Sequence, residues 1–426
     1  MERNDPRYQA YVEILKEELI PAMGCTEPIA LAYAAAKARE VLGVLPDSVQ
    51  LQVSGSIIKN VKSVIVPNTG HLKGMEAAVA AGIIAGSAEK ELEVISEVSE
   101  EKKSAIRDYL QTVPITIEHI EQGHVFDIIV TERCGQDYAR VRIADYHTNI
   151  CRIEKNGTVL YEVPLPDEAA QENTRADRSL LNMQDIWDFA ETADLRDVAD
   201  LLERQIRYNN AIAEEGLLGD YGANIGRVLL TTYGNDVSNR AKAKAAAGSD
   251  ARMNGCELPV IINSGSGNQG ITCSVPLIEY AKELHSGKEK LYRALIISNL
   301  VAIHEKTGIG TLSAYCGAVS AGAGAGAGIV YLCGDGYQAA IHTVVNALAI
   351  VSGIVCDGAK ASCAAKIASS VDAALLGYNM YKCNQEFKGG DGIVMKDIET
   401  TIKGIGRLGK DGMRETNEEI IRLMIE

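Results

Sequence analysis

The sequence predicts an α+β protein, a mainly helical body carrying a smaller domain built on an antiparallel sheet. Three observations carry that reading. Between residues 44 and 165 the chain repeatedly alternates apolar and polar residues, as half-buried strands do. Beyond residue 178 nearly every segment has helical spacing instead. Aromatic residues make up only 5% of the chain against 40 glycines, and small residues let helix backbones approach closely. The 426 residues, 46% of them hydrophobic, suffice for a sizeable core and for two domains.

Residues 7–20 have helical periodicity and end near Pro21. A Gly-Cys-Thr-Glu-Pro turn at 24–28 leads into a second, Ala-rich helix over 29–42. This N-terminal segment, 1–43, is expected to pack on the helical body. Strand spacing follows at 49–53, 115–117, 126–131, 139–143, 148–152 and 159–163, with Lys155-Asn156-Gly157 as a hairpin turn. One helix, 75–87, interrupts the strands, so 44–165 reads as the small sheet domain. A polar linker comes next, 167–178, and 166–426 reads as the helical domain. Within it, 240–255 is polar and Gly-punctuated and predicts a mobile loop. The Ala-Gly alternation at 321–328 predicts a tightly packed helix or turn, because apolar helical sequence flanks it.

A net charge of −15 repels phosphate backbones and argues against a nucleic-acid partner. The start, Met1-Glu2-Arg3-Asn4-Asp5, lacks the apolar run of a signal peptide. The most apolar stretch, 341–355, contains His342 and Asn346 and falls short of the ~20 residues a membrane span needs. A cytoplasmic protein with no membrane partner is expected. Its ten cysteines would then stay reduced, and a cluster of them points to metal or catalysis. Most should still pack as small hydrophobes.

Chemistry concentrates in four places. Residues 259–270 run from an apolar strand into a loop with Ser264, Ser266 and Asn268, followed by a helix from about Ile271. Backbone N–H groups of such a loop, with a helix N-terminus, bind anions; a structural turn is the alternative. Pro67-Asn68-Thr69-Gly70 is a similar loop, and two of them suit a small carboxylate substrate. Cys316, Cys356 and Cys363 come from two distant segments without the Cys-x-x-Cys hooks of zinc fingers or ferredoxins. Three such ligands would leave one metal position open; ordinary buried cysteines are the alternative. Cys25 sits on a turn just before a helix, where the dipole favours a thiolate; a passive thiol in a capping turn is the alternative.

Together these segments resemble the L-cysteine desulfidase family and, more distantly, the α-domain of iron–sulfur L-serine dehydratases. The desulfidase resemblance spans nearly the whole chain. It rests on Gly24-Cys25-Thr26-Glu27-Pro28, Ser54-Gly55-Ser56 with Lys59-Asn60, the turn at 67–70, residues 264–270, Tyr315-Cys316-Gly317, and Cys356-Asp357-Gly358 through Cys363. The serine dehydratase resemblance covers about 250–370. The resemblance implies a mainly helical fold of the serine dehydratase alpha type and a [4Fe–4S] cluster held by Cys316, Cys356 and Cys363. It also implies Cys25 as catalytic base. Ser264, Ser266 and Asn268 would hold a small amino-acid substrate, opposite Ser56, Lys59, Asn60 and Thr69. The implied reaction is β-elimination of L-cysteine to pyruvate, ammonia and hydrogen sulfide. A Ser-Ser-His-Thr stretch carried by serine dehydratases is missing, as is the terminal cysteine found in some. Those departures favour cysteine over serine as substrate.

Other readings stay open: an iron–sulfur L-serine dehydratase, a non-enzymatic iron–sulfur sensor, and a pyridoxal-phosphate enzyme suggested by Ser266-Gly267-Asn268-Gln269-Gly270. The last leaves the three later cysteines unexplained, and no DNA-reading element supports a sensor. A homo-oligomer is compatible with all of them.

Overall fold

The computed structural model describes residues 1–121, 123–165, 175–310 and 313–425. The predicted linker at 167–178 lies mostly outside them. The chain opens with α1 (Pro6–Glu18), β1 (Pro21–Met23) and α2 (Thr26–Leu42). Asp5 caps α1 by accepting from the Arg7 N–H, one of the donors a helix start leaves unpaired. The sheet half contains β2 (Ser48–Ser54), α3 (Gly55–Val61), α4 (Gly74–Ala85) and α5 (Glu100–Thr112). Its remaining strands are β3 (Ile115–Ile120), β4 (Asp127–Cys134), β5 (Asp137–Ala144), β6 (Ile150–Lys155) and β7 (Thr158–Glu162).

The six strands form one sheet in the order β3-β2-β4-β5-β6-β7. Every pair is antiparallel except β2 with β3, which run parallel. A parallel pair needs a long crossover, here supplied by α3, α4 and α5. At the β6–β7 hairpin both Asn156 and Gly157 take positive φ, which matches the twist of the flanking strands.

The helical body comprises α6 (Met183–Thr192), α7 (Ala199–Leu218), α8 (Ile225–Tyr233), α9 (Val237–Met253), a short β8 (Pro259–Ile261), α10 (Gly267–Glu283), α11 (Lys288–Ile309), α12 (Gly317–Cys333), α13 (Tyr337–Val351), α14 (Ser362–Lys382), α15 (Ile398–Arg407) and α16 (Arg414–Ile425). The Ala-Gly tract is the middle of α12. It packs against α10, α11, α13 and α14, which is why it has no polar face. An added Cβ on Gly324 would stand 2.4 Å from the Ser298 carbonyl oxygen, so the two helices meet backbone to backbone.

Three expectations change. The segment 240–255 is not a mobile loop: almost all of it is α9, started by the Asp236 carboxylate accepting from the Ser238 and Asn239 N–H groups. Its alanines and Gly248 are buried, so a composition that looks loop-like is a helix made narrow for close packing. Two further helices, α3 and α5, interrupt the strands beside the expected one. The N-terminal segment also divides its packing. Tyr8 and Tyr11 of α1 set their rings edge-on to Phe189 of α6, and Tyr11 donates to the Leu180 carbonyl. Helix α2, by contrast, packs on α4, β4 and β5, because its alanine-rich surface fits the apolar face of the sheet. One continuous hydrophobic core therefore runs through both halves.

Candidate active site

β1 pairs antiparallel with β8, Ala22 opposite Val260. That short ladder lays the 24–28 turn against the 264–270 loop, where the Thr26 hydroxyl donates to the Gly265 carbonyl at 3.0 Å. A second anchor joins the cysteine segments. Tyr315 and Val355 form an isolated bridge, with the Cys316 N–H on the Ile354 carbonyl and the Cys356 N–H on the Ala314 carbonyl. Cys316 is the N-cap of α12, and Cys363 lies in the first turn of α14. Gly358, at φ +93°, completes the loop between the last two cysteines. A Cβ there would lie 2.1 Å from the Lys59 carbonyl oxygen, so only glycine lets this loop touch α3.

These connections enclose a cavity of about 110 Å³. Of the residues predicted from sequence, Cys25, Lys59, Asn60, Ser264, Ser266, Asn268, Cys316, Cys356 and Cys363 all line it. Ser56 is buried one turn earlier on α3 and is not part of the lining. Thr69 is also outside it: its hydroxyl donates to the Val66 carbonyl and accepts from the Leu72 N–H, holding the turn together. The 67–70 loop is thus a structural turn, as Asn68 donating to the Ile95 carbonyl also indicates.

The three thiols are close enough to affect one another. Burial first, then Cys356, pushes the Cys316 thiol up to about 12. Burial raises Cys363 in the same way. Thiols crowded like this keep their protons unless a cation sits among them. Among the described residues no three His, Cys, Asp or Glu side chains converge as ligands of one metal ion do. Lys306 is buried in the same lining; burial pulls its ammonium down to about 8 while Cys356 and Cys316 oppose that.

Cys25 departs from expectation. It is 2% exposed, and its Sγ–H donates to Glu27 Oε2 at 3.0 Å. Burial, then the Glu27 charge, raise its pKa well above the ordinary 9.0, outweighing Arg252 nearby. The helix-start effect is too small to offset both, so the resting group is a thiol. Glu27 is the opposite case. Burial works to raise it, yet the His147 ring and the Cys25 thiol hold it below the usual carboxylate range. Asn60 Nδ2 donates to its Oε1 at 3.0 Å, the Thr26 hydroxyl reaches Oε2 at 3.2 Å, and His147 Nε2 stands 4.0 Å from Oε1. The pair therefore rests as a thiol donating to an ionised carboxylate.

Sequence reasoning missed Glu27 in this role, together with His147, Arg252, Gln269 and Lys306, all in the lining. Glu27 stands in the Gly24-Cys25-Thr26-Glu27-Pro28 turn, two residues from the thiol. His147 comes from the β5–β6 connection of the sheet half, and Arg252 from α9, whose composition is loop-like, so neither carries a signal of its own.

Residues 89–422 match the family described as serine dehydratase alpha chain. The chain belongs to this family. Its relatives include a UPF0597 protein of Desulfitobacterium hafniense, 61% identical over 100% of this chain and 98% of that protein. UPF0597 proteins of Lachnoclostridium phytofermentans, 53% identical over 98% of this chain and all of the relative, and of Treponema denticola, 46% identical over both full lengths, are similar too. Membership of the serine dehydratase alpha family points to a lyase. No helix among the described residues is long and apolar enough to cross a membrane.

Proposed function

We propose that this chain is an L-cysteine desulfidase, converting L-cysteine and water to pyruvate, ammonia and hydrogen sulfide. The observation that carries the reading is the cavity with the Cys25–Glu27 pair and the three-cysteine wall in one lining. In this reading Cys316, Cys356 and Cys363 hold a [4Fe–4S] cluster, with Lys306 offsetting its negative charge. When bound, the cluster supplies a Lewis acid for the substrate's leaving group.

The chain's own residues handle the proton. Cys25, as thiolate, removes the proton from the substrate Cα and, as a thiol again, gives it to the departing sulfide. Asn60 and His147 keep Glu27 charged, and Glu27 holds the Cys25 thiol in place in the resting site. Ser264, Ser266 and Asn268 hold the substrate's polar end. Loss of sulfide leaves aminoacrylate, which tautomerises to an imine and is hydrolysed to pyruvate and ammonia.

The family match also supports L-serine as substrate, with water leaving in place of sulfide. The missing Ser-Ser-His-Thr stretch favours cysteine. Anaerobic reconstitution with iron and sulfide, then pyruvate assays on both amino acids, tests the proposal. Preference for L-cysteine with equimolar sulfide release is expected. Preference for L-serine overturns the substrate assignment, and no pyruvate from either overturns the lyase.

A further inference from the structure

Arg252 occupies a position that the proposed proton path does not use. It is the penultimate residue of α9, only 2% exposed, and it lines the cavity. One guanidinium arm, Nη1, donates to Asn268 Oδ1 at 3.1 Å. Its Nε is buried with no hydrogen-bond partner, and no carboxylate pairs with the group among the described residues. A buried guanidinium without a counter-ion is costly unless an anion meets it. The same lining includes Ser266 and Asn268, the N-cap and second residue of the 17-residue helix α10. Its unpaired N–H groups and dipole favour an anion at that spot. Two independent features, a side chain and a helix end, thus favour an anion in the same lining. Asn268 ties them together, since it belongs to the first turn of α10 and holds the arginine.

We propose that Arg252, with the first turn of α10, binds the substrate's α-carboxylate and thereby restricts this site to α-amino acids. The assignment rests on the reading of the cavity as an amino-acid site. Arginine suits the task because its planar fork meets both oxygens of a carboxylate. Cys25 lies in the same lining, so fixing the carboxylate also orients Cα toward the thiol.

The test is binding, measured by calorimetry on the reconstituted protein. L-alanine has the carboxylate and no leaving group, L-alaninamide is its neutral counterpart, and ethylamine lacks the group altogether. The wild-type protein should bind L-alanine about 10- to 150-fold more tightly than L-alaninamide, the range for a hydrogen bond to a charged group. Arg252→Gln should remove that preference while leaving ethylamine binding unchanged, and Arg252→Lys should restore part of it. Equal wild-type affinity for L-alanine and L-alaninamide overturns the assignment without any variant, so a poorly folding Arg252→Gln does not shelter it. An equal loss for all three ligands also overturns it, since the arginine would then serve the thiol or the fold. L-alanine binding needs no turnover. A protein that binds it through Arg252 yet forms no pyruvate sinks the lyase reading alone.

Discussion

Cys25 and Glu27 are two residues apart, yet they are pushed to opposite protonation states, and that opposition makes them useful. The buried thiol keeps its proton, while the carboxylate, held by Asn60 and His147, stays charged and 3.0 Å from it. Cys25→Ser should keep full iron content and lower pyruvate formation by ~10²–10⁴, the scale of losing a general base. Iron loss in step with activity would make Cys25 a ligand instead. Glu27→Gln makes a sharper demand. A base works only when deprotonated, so kcat/KM should climb with pH as Cys25 ionises. Burial and then the Glu27 charge raise the Cys25 pKa. Removing the charge lowers it, so the climb should move to lower pH. A climb that stays in place or moves upward excludes Glu27 as the neighbour that sets the thiol.

Elements show which sequence signals survive folding. Strand alternation was legible because each strand buries one face: in β4 and β5 the buried positions include Ile128, Val130, Val141 and Ile143. Helix α3 left no trace because all seven of its residues are buried, and a helix enclosed on every side has no periodicity to read. Helix α5 was lost for the reverse reason, since only Ile106 and Tyr109 are buried among polar neighbours. Within β4, Glu132 breaks the strand's own rule. It is fully buried with neither carboxylate oxygen paired among the described residues, and burial raises its pKa well above 4.5 despite Arg39. The folded protein therefore holds a proton that the unfolded chain releases above about pH 4.5. Stability from this group is complete below that value and is lost as pH rises toward the folded pKa, by up to ~1.4 kcal/mol per pH unit. Glu132→Gln should flatten the fall, measured by urea denaturation at pH 5, 6, 7 and 8. Parallel curves for the two proteins would mean that Glu132 is solvated or paired in solution. In α12 the expected cost is steric: Gly324→Val, aimed at the Ser298 carbonyl, should destabilise by about 1–3 kcal/mol. A neutral result would show the α11–α12 contact to be looser than the structure has it.

At the scale of the molecule the cavity is a joint product of the two halves. The sheet half brings Glu27, Lys59, Asn60 and His147 to it, and the helical body brings the cysteine wall, Arg252 and the 264–270 loop. Motif order along the chain made the thiols and the loop legible. The other partners depend on β1 pairing with β8 and on helix positions that no local pattern encodes. The last helix crosses the same junction. From the end of the helical body α16 returns to α3, where Asn417 Oδ1 accepts from Lys59 Nζ at 2.6 Å and Ile421 packs within 3.0 Å of where a Cβ on Gly55 would lie. Lys59 is 2% exposed, and burial lowers its pKa, so Asn417 supplies an acceptor that a buried ammonium needs. Asn417→Ala should cost about 1–3 kcal/mol by leaving that donor unpaired. Lys59→Met removes the charge along with the need for an acceptor. Asn417→Ala should then cost much less in the Lys59→Met background, a coupling of about 0.5–3 kcal/mol in a double-mutant cycle read by urea denaturation. Simple additivity would mean that α16 does not hold Lys59 in solution and that the cavity is closed without it.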